Sequence, residues 1–278
     1  MKRILFPTDF SESAHNAFFY ALRLAHKFEA SITVLHIFHK PEIRSLYVPK
    51  ALEDFYQSYD LQQFANFKDK IPVLNNLAEE KGFGHIPINY ALKEGNNEVE
   101  LIISFAEKEG FDQIIMGTTG AGFLKEVFLG SIAGEVLENA TCPVLTVPAE
   151  AQFDGNIDRM AFASDFSDYS LHQLPNAIKF TKTFDAQLYI LNVDMSHTAE
   201  FSQKISNIKD AYLNEPNLSI EILSGNDVSD TLSNYLAKND IDFLLMATHK
   251  RNWLAEMFQF SRTKNMAVHS NVPVMALK

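Results

Sequence analysis

The sequence predicts an α/β protein built from two tandem doubly wound domains, and three observations carry that reading. The chain repeats itself, its apolar runs read as buried on both faces, and strand-like and helix-like stretches alternate. The opening ILFPTDFSE (Ile4 to Glu12) returns as MAFASDFSD (Met160 to Asp168), an offset of 156 residues. The same offset carries Phe28-Glu29-Ala30 onto Phe184-Asp185-Ala186 and Leu35 onto Leu191. Further on the offset is 130: Gly95-Asn96 maps onto Gly225-Asn226, Met116 onto Met246 and Pro143-Val144 onto Pro273-Val274. Self-similarity at a fixed spacing means one supersecondary unit built twice. The first copy carries 26 extra residues, between Ile37 and Gly95, and AEAQFDGN (Ala149 to Asn156) is the short, mostly polar break. Domains over 1–148 and 157–278 are the expected units.

Within the first copy each element has a local reason. Arg3 to Phe6 is a short apolar run, read as a strand. From Ser13 to Phe28, Ala14, Ala17, Phe18, Ala21, Leu22 and Ala25 recur at i, i+3, i+4 and i+7, the spacing of one buried helical face. Ser31 to Phe38 (SITVLHIF), Gln113 to Met116 (QIIM) and Pro143 to Val147 (PVLTV) are nearly continuous in apolar residues. Strands covered on both faces belong to parallel sheets. His85 to Leu92 reads as a further strand, and Asn97 to Glu109 and Ser131 to Asn139 as helices. The extra residues are expected to lengthen a helix around Leu52 to Asp69. Pro72 is expected to interrupt or restart it, because proline lacks the N–H that an interior helical position donates. Five strands joined by crossover helices make each copy a doubly wound domain.

The chain has 278 residues, 46% hydrophobic and 21% charged, enough apolar material for cores without disulfides or metals. A formal net charge of −11 with no basic stripe repels a phosphate backbone, which argues against nucleic-acid binding. The single cysteine, Cys142, cannot form an internal disulfide and fits a reducing, cytoplasmic setting. It precedes Pro143 at a strand start and reads as buried and inert. There is no 18-residue apolar run, and MKRILFPTDF lacks an apolar signal core, so neither a membrane span nor a secretory leader is expected. The nine histidines show no HExxH pair and no zinc-like spacing, so no protein-held structural metal is expected. His36, in a strand read as buried, is taken as a packed, hydrogen-bonded residue rather than a catalyst.

Chemistry concentrates in MGTTGAGFLKEVFLGSIAGEVL, Met116 to Leu137. Gly117, Gly120 and Gly130-Ser131 give the spacing G-x2-G-x9-G-S directly after a strand, and Gly130-Ser131 opens a helix. Glycines there let backbone N–H groups approach an anion, and a helix N-terminus adds partial positive charge. The Ser131 hydroxyl can cap the helix and donate to a phosphate oxygen. Neither a Walker loop nor a dinucleotide fingerprint fits. No Gly-Lys-Ser or Gly-Lys-Thr occurs, and Gly120-Ala121-Gly122 follows a late strand and lacks the third glycine. A tight Gly-rich connection without a ligand is the competing reading, and it leaves the glycine–serine pair at a helix start unexplained.

These landmarks resemble the universal stress protein family. The resemblance rests on ILFPTDFSESA, VLHIF, the Met116 to Leu137 loop and CPVLTV, and it covers both halves. It implies a five-stranded parallel sheet of order 3-2-1-4-5, flanked by helices, in each domain. It also implies that the last strands, Val144 to Val147 and Val274 to Leu277, cover each other in an internal pseudo-dimer, with a further homodimer left open. The implied ligand is ATP, or AMP or ADP, with Mg²⁺. Carried over by position, the adenine pocket falls on Pro7, Asp9 and Ile37 beside Met116, the ribose on Gly117 and Asp9, and the phosphates on Gly120, Gly130 and Ser131. Thr8 and Thr118 are weaker polar candidates. Asp9 has two readings: a contact to ribose or to a nucleotide-bound Mg²⁺, and a turn or N-cap residue before the first helix. Lys125 reads equally as a phosphate contact and as a solvated turn lysine.

The second copy keeps little of this loop. Gly117 becomes Ala247, Gly120 becomes Lys250 and Gly130 becomes Phe260, while Ser131 persists as Ser261. Pro7 becomes Ala163, with Asp165 and Val193 holding the rest of the base slot. Side chains then stand where backbone must approach phosphate, so the second half is not expected to bind ATP in the family's way. Lys250, Arg251, Arg262 and Lys264 near that loop read as solvated charge or as a site for another anion. The function expected is that of an ATP-binding protein whose first half holds a regulatory or signalling nucleotide. A nucleotide-independent interaction scaffold and a slow ATPase are the alternatives, and no catalytic residue is assigned. The Tyr- and Phe-rich segment Leu46 to Phe67 is a candidate partner surface.

Overall fold

The computed structural model describes residues 1–42, 49–118, 130–153, 155–195, 201–247 and 271–278. The first half runs β1 (Arg3–Pro7), α1 (Glu12–Phe28), β2 (Ser31–Phe38), α2 (Pro49–Glu80), β3 (Ile88–Glu94), α3 (Glu98–Glu109), β4 (Gln113–Gly117), α4 (Ser131–Asn139) and β5 (Val144–Val147). The second runs β6 (Arg159–Ala163), α5 (Asp168–Phe184), β7 (Gln187–Asp194), α6 (Ser202–Ala211), β8 (Leu218–Ser224), α7 (Val228–Lys238), β9 (Phe243–Ala247) and β10 (Val274–Leu277).

Each half has the strand order that the resemblance implies. β1 lies between β2 and β4, with β3 outside β2 and β5 outside β4, all parallel. The second half repeats this with β8-β7-β6-β9-β10. The two offsets are registers of the sheet: Arg3 pairs with Ser31 as Arg159 pairs with Gln187, and Ile114 with Val144 as Leu244 with Val274. β5 and β10 pair antiparallel, Leu145 opposite Met275, so that one ten-stranded sheet runs through both halves.

Alternate residues of each strand feed two cores. Ile4 and Phe6 of β1 join Phe18 and Leu22 of α1, Leu74 and Ala78 of α2 and Leu174 and Ala177 of α5. Leu5 joins Ile102 and Ala106 of α3, Val136 and Leu137 of α4 and Leu232 and Leu236 of α7 on the other face. Helices on both faces are what allow the strands to be apolar throughout.

Three expectations need correction. β3 begins at Ile88, not His85: Pro87 has no N–H for the ladder, and the Ile86 amide is turned back to the Phe83 carbonyl at 3.0 Å. The extra residues do lengthen a helix, but α2 runs 32 residues straight through Pro72. Pro72 and Lys68 are both exposed, so the carbonyl that loses its helical donor belongs to the solvent side of the helix. Cys142 is partly rather than fully buried, and that burial pushes its thiol pKa up.

The break between the halves is strapped to α1. The Asn16 carboxamide donates to the carbonyls of Pro148 (3.0 Å), Ala149 (3.3 Å) and Ala151 (2.9 Å), the Tyr20 hydroxyl to Gln152 (3.2 Å) and the Arg23 guanidinium to Gly155. Residues 16, 20 and 23 share one helix face. The Arg23 guanidinium also sits 4.5 Å from the centre of the Phe153 ring.

Candidate functional site

The strand order reverses direction between β1 and β4, where an open α/β sheet forms a crevice at the strands' carboxyl ends. A cleft of about 820 Å³, its open mouth included, lies there. Nine of the ten predicted residues line it: Pro7, Thr8, Asp9, Ile37, Met116, Gly117, Thr118, Gly130 and Ser131. The tenth, Gly120, and Lys125 lie outside the described residues, as do Lys250, Arg251, Phe260, Ser261, Arg262 and Lys264 of the second copy. Pro7, Met116, Thr118 and Gly130 are buried, Ile37 is half-buried, and Asp9 and Ser131 are exposed.

The β1–α1 corner places Thr8 and Asp9. The Thr8 amide continues the ladder to the Leu35 carbonyl (2.9 Å), and the Thr8 hydroxyl accepts from the Phe10 amide (3.0 Å). Phe10 adopts φ +60°, a left-handed corner uncommon for a bulky residue, which turns the chain into α1. Asp9 Oδ1 accepts from the Ser11 amide (3.0 Å) and hydroxyl (2.7 Å), and Ser11 caps α1. The second half repeats every part: Phe166 at φ +54°, and Asp165 Oδ1 accepting from the Ser167 amide (2.9 Å) and hydroxyl (2.6 Å). The turn reading therefore accounts for an aspartate at this corner in both copies.

His36 supports the same corner from β2. Its Nδ1 stands 2.8 Å from the Thr8 carbonyl oxygen, and since a carbonyl only accepts, Nδ1 carries the proton. The ring lies parallel to Phe67 of α2, 6.0 Å between centres. Asn192 does the same work in the second half, donating to the Ser164 carbonyl at 2.9 Å.

The far wall is the start of α4. Gly130 is its N-cap with φ −64° and ψ 157°, angles open to any residue, and its amide donates to the Thr118 carbonyl at 2.6 Å. That bond ties Gly130 to Thr118 and commits the amide expected to meet an anion. The first-turn amides of Ser131, Ile132 and Ala133 have no intrahelical acceptor, and all three residues line the cleft. The glycine contributes the absence of a side chain at the mouth.

Sequence reading missed Ala14, Leu35, Glu98 and Ile102, which also line the cleft. Glu98 opens α3 behind the N-cap Asn97, and its Oε1 lies 2.8 Å from His39 Nε2. The signal was available, because helix starts after strands gather along the carboxyl edge of a doubly wound sheet. The described lining holds the carboxylates of Asp9 and Glu98 and no lysine or arginine.

Among the described residues no helix is long and apolar enough to cross a membrane. Compared with known proteins, the family model described as "Universal stress protein family" matches residues 1–148 and again 156–278. The universal stress protein MJ0531 of Methanocaldococcus jannaschii is 32% identical over 146 residues, 52% of this chain and 81% of that protein. The YxiE universal stress protein of Bacillus subtilis is 29% identical over 154 residues, 52% of this chain and 97% of that protein. A solved universal stress protein from Archaeoglobus fulgidus superposes with a TM-score of 0.70 at 20% identity, over 99% of this chain and 96% of that one, and so shares its fold from end to end. With two matches of the family model spanning nearly all its residues, the chain is a tandem member of the universal stress protein family.

Proposed function

We propose that the first half binds an adenine nucleotide in this cleft and that the nucleotide acts as a regulatory or signalling ligand. The observation that carries the reading is the meeting of an apolar slot and a helix N-terminus in one cleft at the reversal of strand order. A flat base calls for apolar walls, and Pro7, Leu35, Ile37 and Met116 supply them. Ribose hydroxyls call for an acceptor, the chemistry of the Asp9 carboxylate. Phosphates call for N–H donors and positive potential, the chemistry of the first turn of α4. With two carboxylates and no cation in the described lining, a polyphosphate is favoured as its Mg²⁺ complex, and Asp9 and Glu98 carry the hard oxygen ligands that ion takes.

Binding is favoured over turnover. Phosphoryl transfer needs a group that orients or deprotonates the nucleophile. Asp9 and Glu98 are held by Ser11 and His39 and are assigned here to ribose and Mg²⁺, which leaves the described lining no further carboxylate for that role. In the second half Ala163 and Ala247 replace Pro7 and Gly117, which supports one site per chain.

Calorimetric titration of the full chain with ATP and MgCl₂ tests the reading. One site per chain is expected. Two sites would place a nucleotide in the second half as well, and no binding by calorimetry or by equilibrium dialysis would overturn the proposal.

A further inference from the structure

We propose a second, independent site, in which His26 and His85 chelate a divalent transition-metal ion of the Zn²⁺, Ni²⁺ or Cu²⁺ class. His26 stands in the last turn of α1 and His85 in the turn between α2 and β3; both side chains are exposed. His26 Nδ1 lies 3.0 Å from His85 Nε2. With metal–imidazole bonds of about 2.0–2.1 Å, two nitrogens held side by side on one ion stand roughly 3.0–3.4 Å apart, so the pair already has the spacing of a chelate.

The backbone beneath both rings is held. His26 follows the buried Leu24 and Ala25 on α1. His85 sits between Phe83 and Ile86, each 6% exposed, in a turn where the Phe83 amide donates to the Ala78 carbonyl (2.7 Å) and the Ile86 amide to the Phe83 carbonyl (3.0 Å). Only side-chain torsions remain to be ordered, which lowers the entropic cost of binding. Without metal, one neutral ring donates its N–H to the other. With metal, the donor ring moves that proton to its other nitrogen, both rings turn about their side-chain torsions so that the two lone pairs converge on the ion, and water fills the remaining positions.

The repeat sharpens the argument. At the equivalent positions the second half carries Lys182 and Glu215, whose Nζ and Oε1 are 2.7 Å apart. The fold thus links the helix end to this turn in both halves, by an ion pair in one and by two groups of like chemistry in the other. Two imidazoles gain a strong link when an ion lies between them. His26 lies about 20 Å along α1 from the cleft, at 1.5 Å rise per residue, so the site works without a nucleotide.

The test titrates NiCl₂ into the full chain, free of any histidine tag and of nucleotide, by calorimetry, with thermal unfolding alongside. One Ni²⁺ per chain is expected, with a rise in Tm. His26→Gln and His85→Gln should each weaken binding at least tenfold, while His15→Gln and His39→Gln should leave it unchanged. The double variant His26→Lys/His85→Glu copies the second half and should fold normally yet show neither binding nor the Tm rise. Undiminished Ni²⁺ affinity in that double variant, or no binding by the wild-type chain, overturns the proposal.

Discussion

The Lys278 ammonium lies 3.0 Å from the Leu137 carbonyl oxygen, and as close to that of Glu138, so the residue after β10 caps the last turn of α4. The helix whose first turn opens the nucleotide cleft is thereby closed at its other end by the second half. A cation at a helix C-terminus is favourable, but burial outweighs this and lowers the Lys278 pKa from the usual lysine range to about 8. Between that value and the ordinary one the unfolded chain binds more protons, so this group's contribution to stability rises with pH and is lost as pH falls through about 8. Urea unfolding at pH 7.5 and 9.5 should show the wild type gaining on Lys278→Met at the higher pH. A difference independent of pH would rule out burial as the cause.

Asn16 offers two N–H bonds to three carbonyls of the strap. Asn16→Leu removes them and should cost about 1–3 kcal/mol in denaturant unfolding. It should also speed proteolytic cleavage within residues 148–156. His172, the equivalent position on α5, is exposed. His172→Leu should change stability by less than about 0.5 kcal/mol.

Gly130→Phe copies the residue of the second half. The backbone angles accept it, and the bond from its amide to Thr118 is untouched, so Tm should move little. The added ring enters at a cleft-lining position, and Mg-ATP affinity should fall at least tenfold by calorimetry. Full affinity in this variant would remove Gly130 from the site.

His36→Asn should be well tolerated, because Asn192 makes the same bond to the equivalent carbonyl. His36→Leu leaves the Thr8 carbonyl without that donor and should cost about 1–3 kcal/mol. Equal losses for both variants in urea unfolding would show that ring packing on Phe67, rather than the hydrogen bond, is what His36 provides.

The candidate site was legible where its residues sit in local motifs. Pro7, Thr8 and Asp9 end a strand, Met116 and Gly117 end another, and Gly130-Ser131 starts a helix; a doubly wound sheet brings such ends together. Glu98 was not read although it begins the helix after β3 and so stands on the same carboxyl edge, because no motif marked it. For Asp9 the sequence left two roles open, and the matching turn at Asp165 shows why: the helix start alone already selects aspartate.

By itself the sequence determined the repeat, the alternation of strand and helix and the parallel sheet. These rest on apolar periodicity and on bonds between residues a few positions apart. Tertiary structure decided that α2 passes through Pro72, that the break lies strapped along Asn16, Tyr20 and Arg23, that His26 meets His85 and that Lys278 closes α4. Each of these depends on exposure or on contacts between residues distant in the chain, which no local pattern encodes.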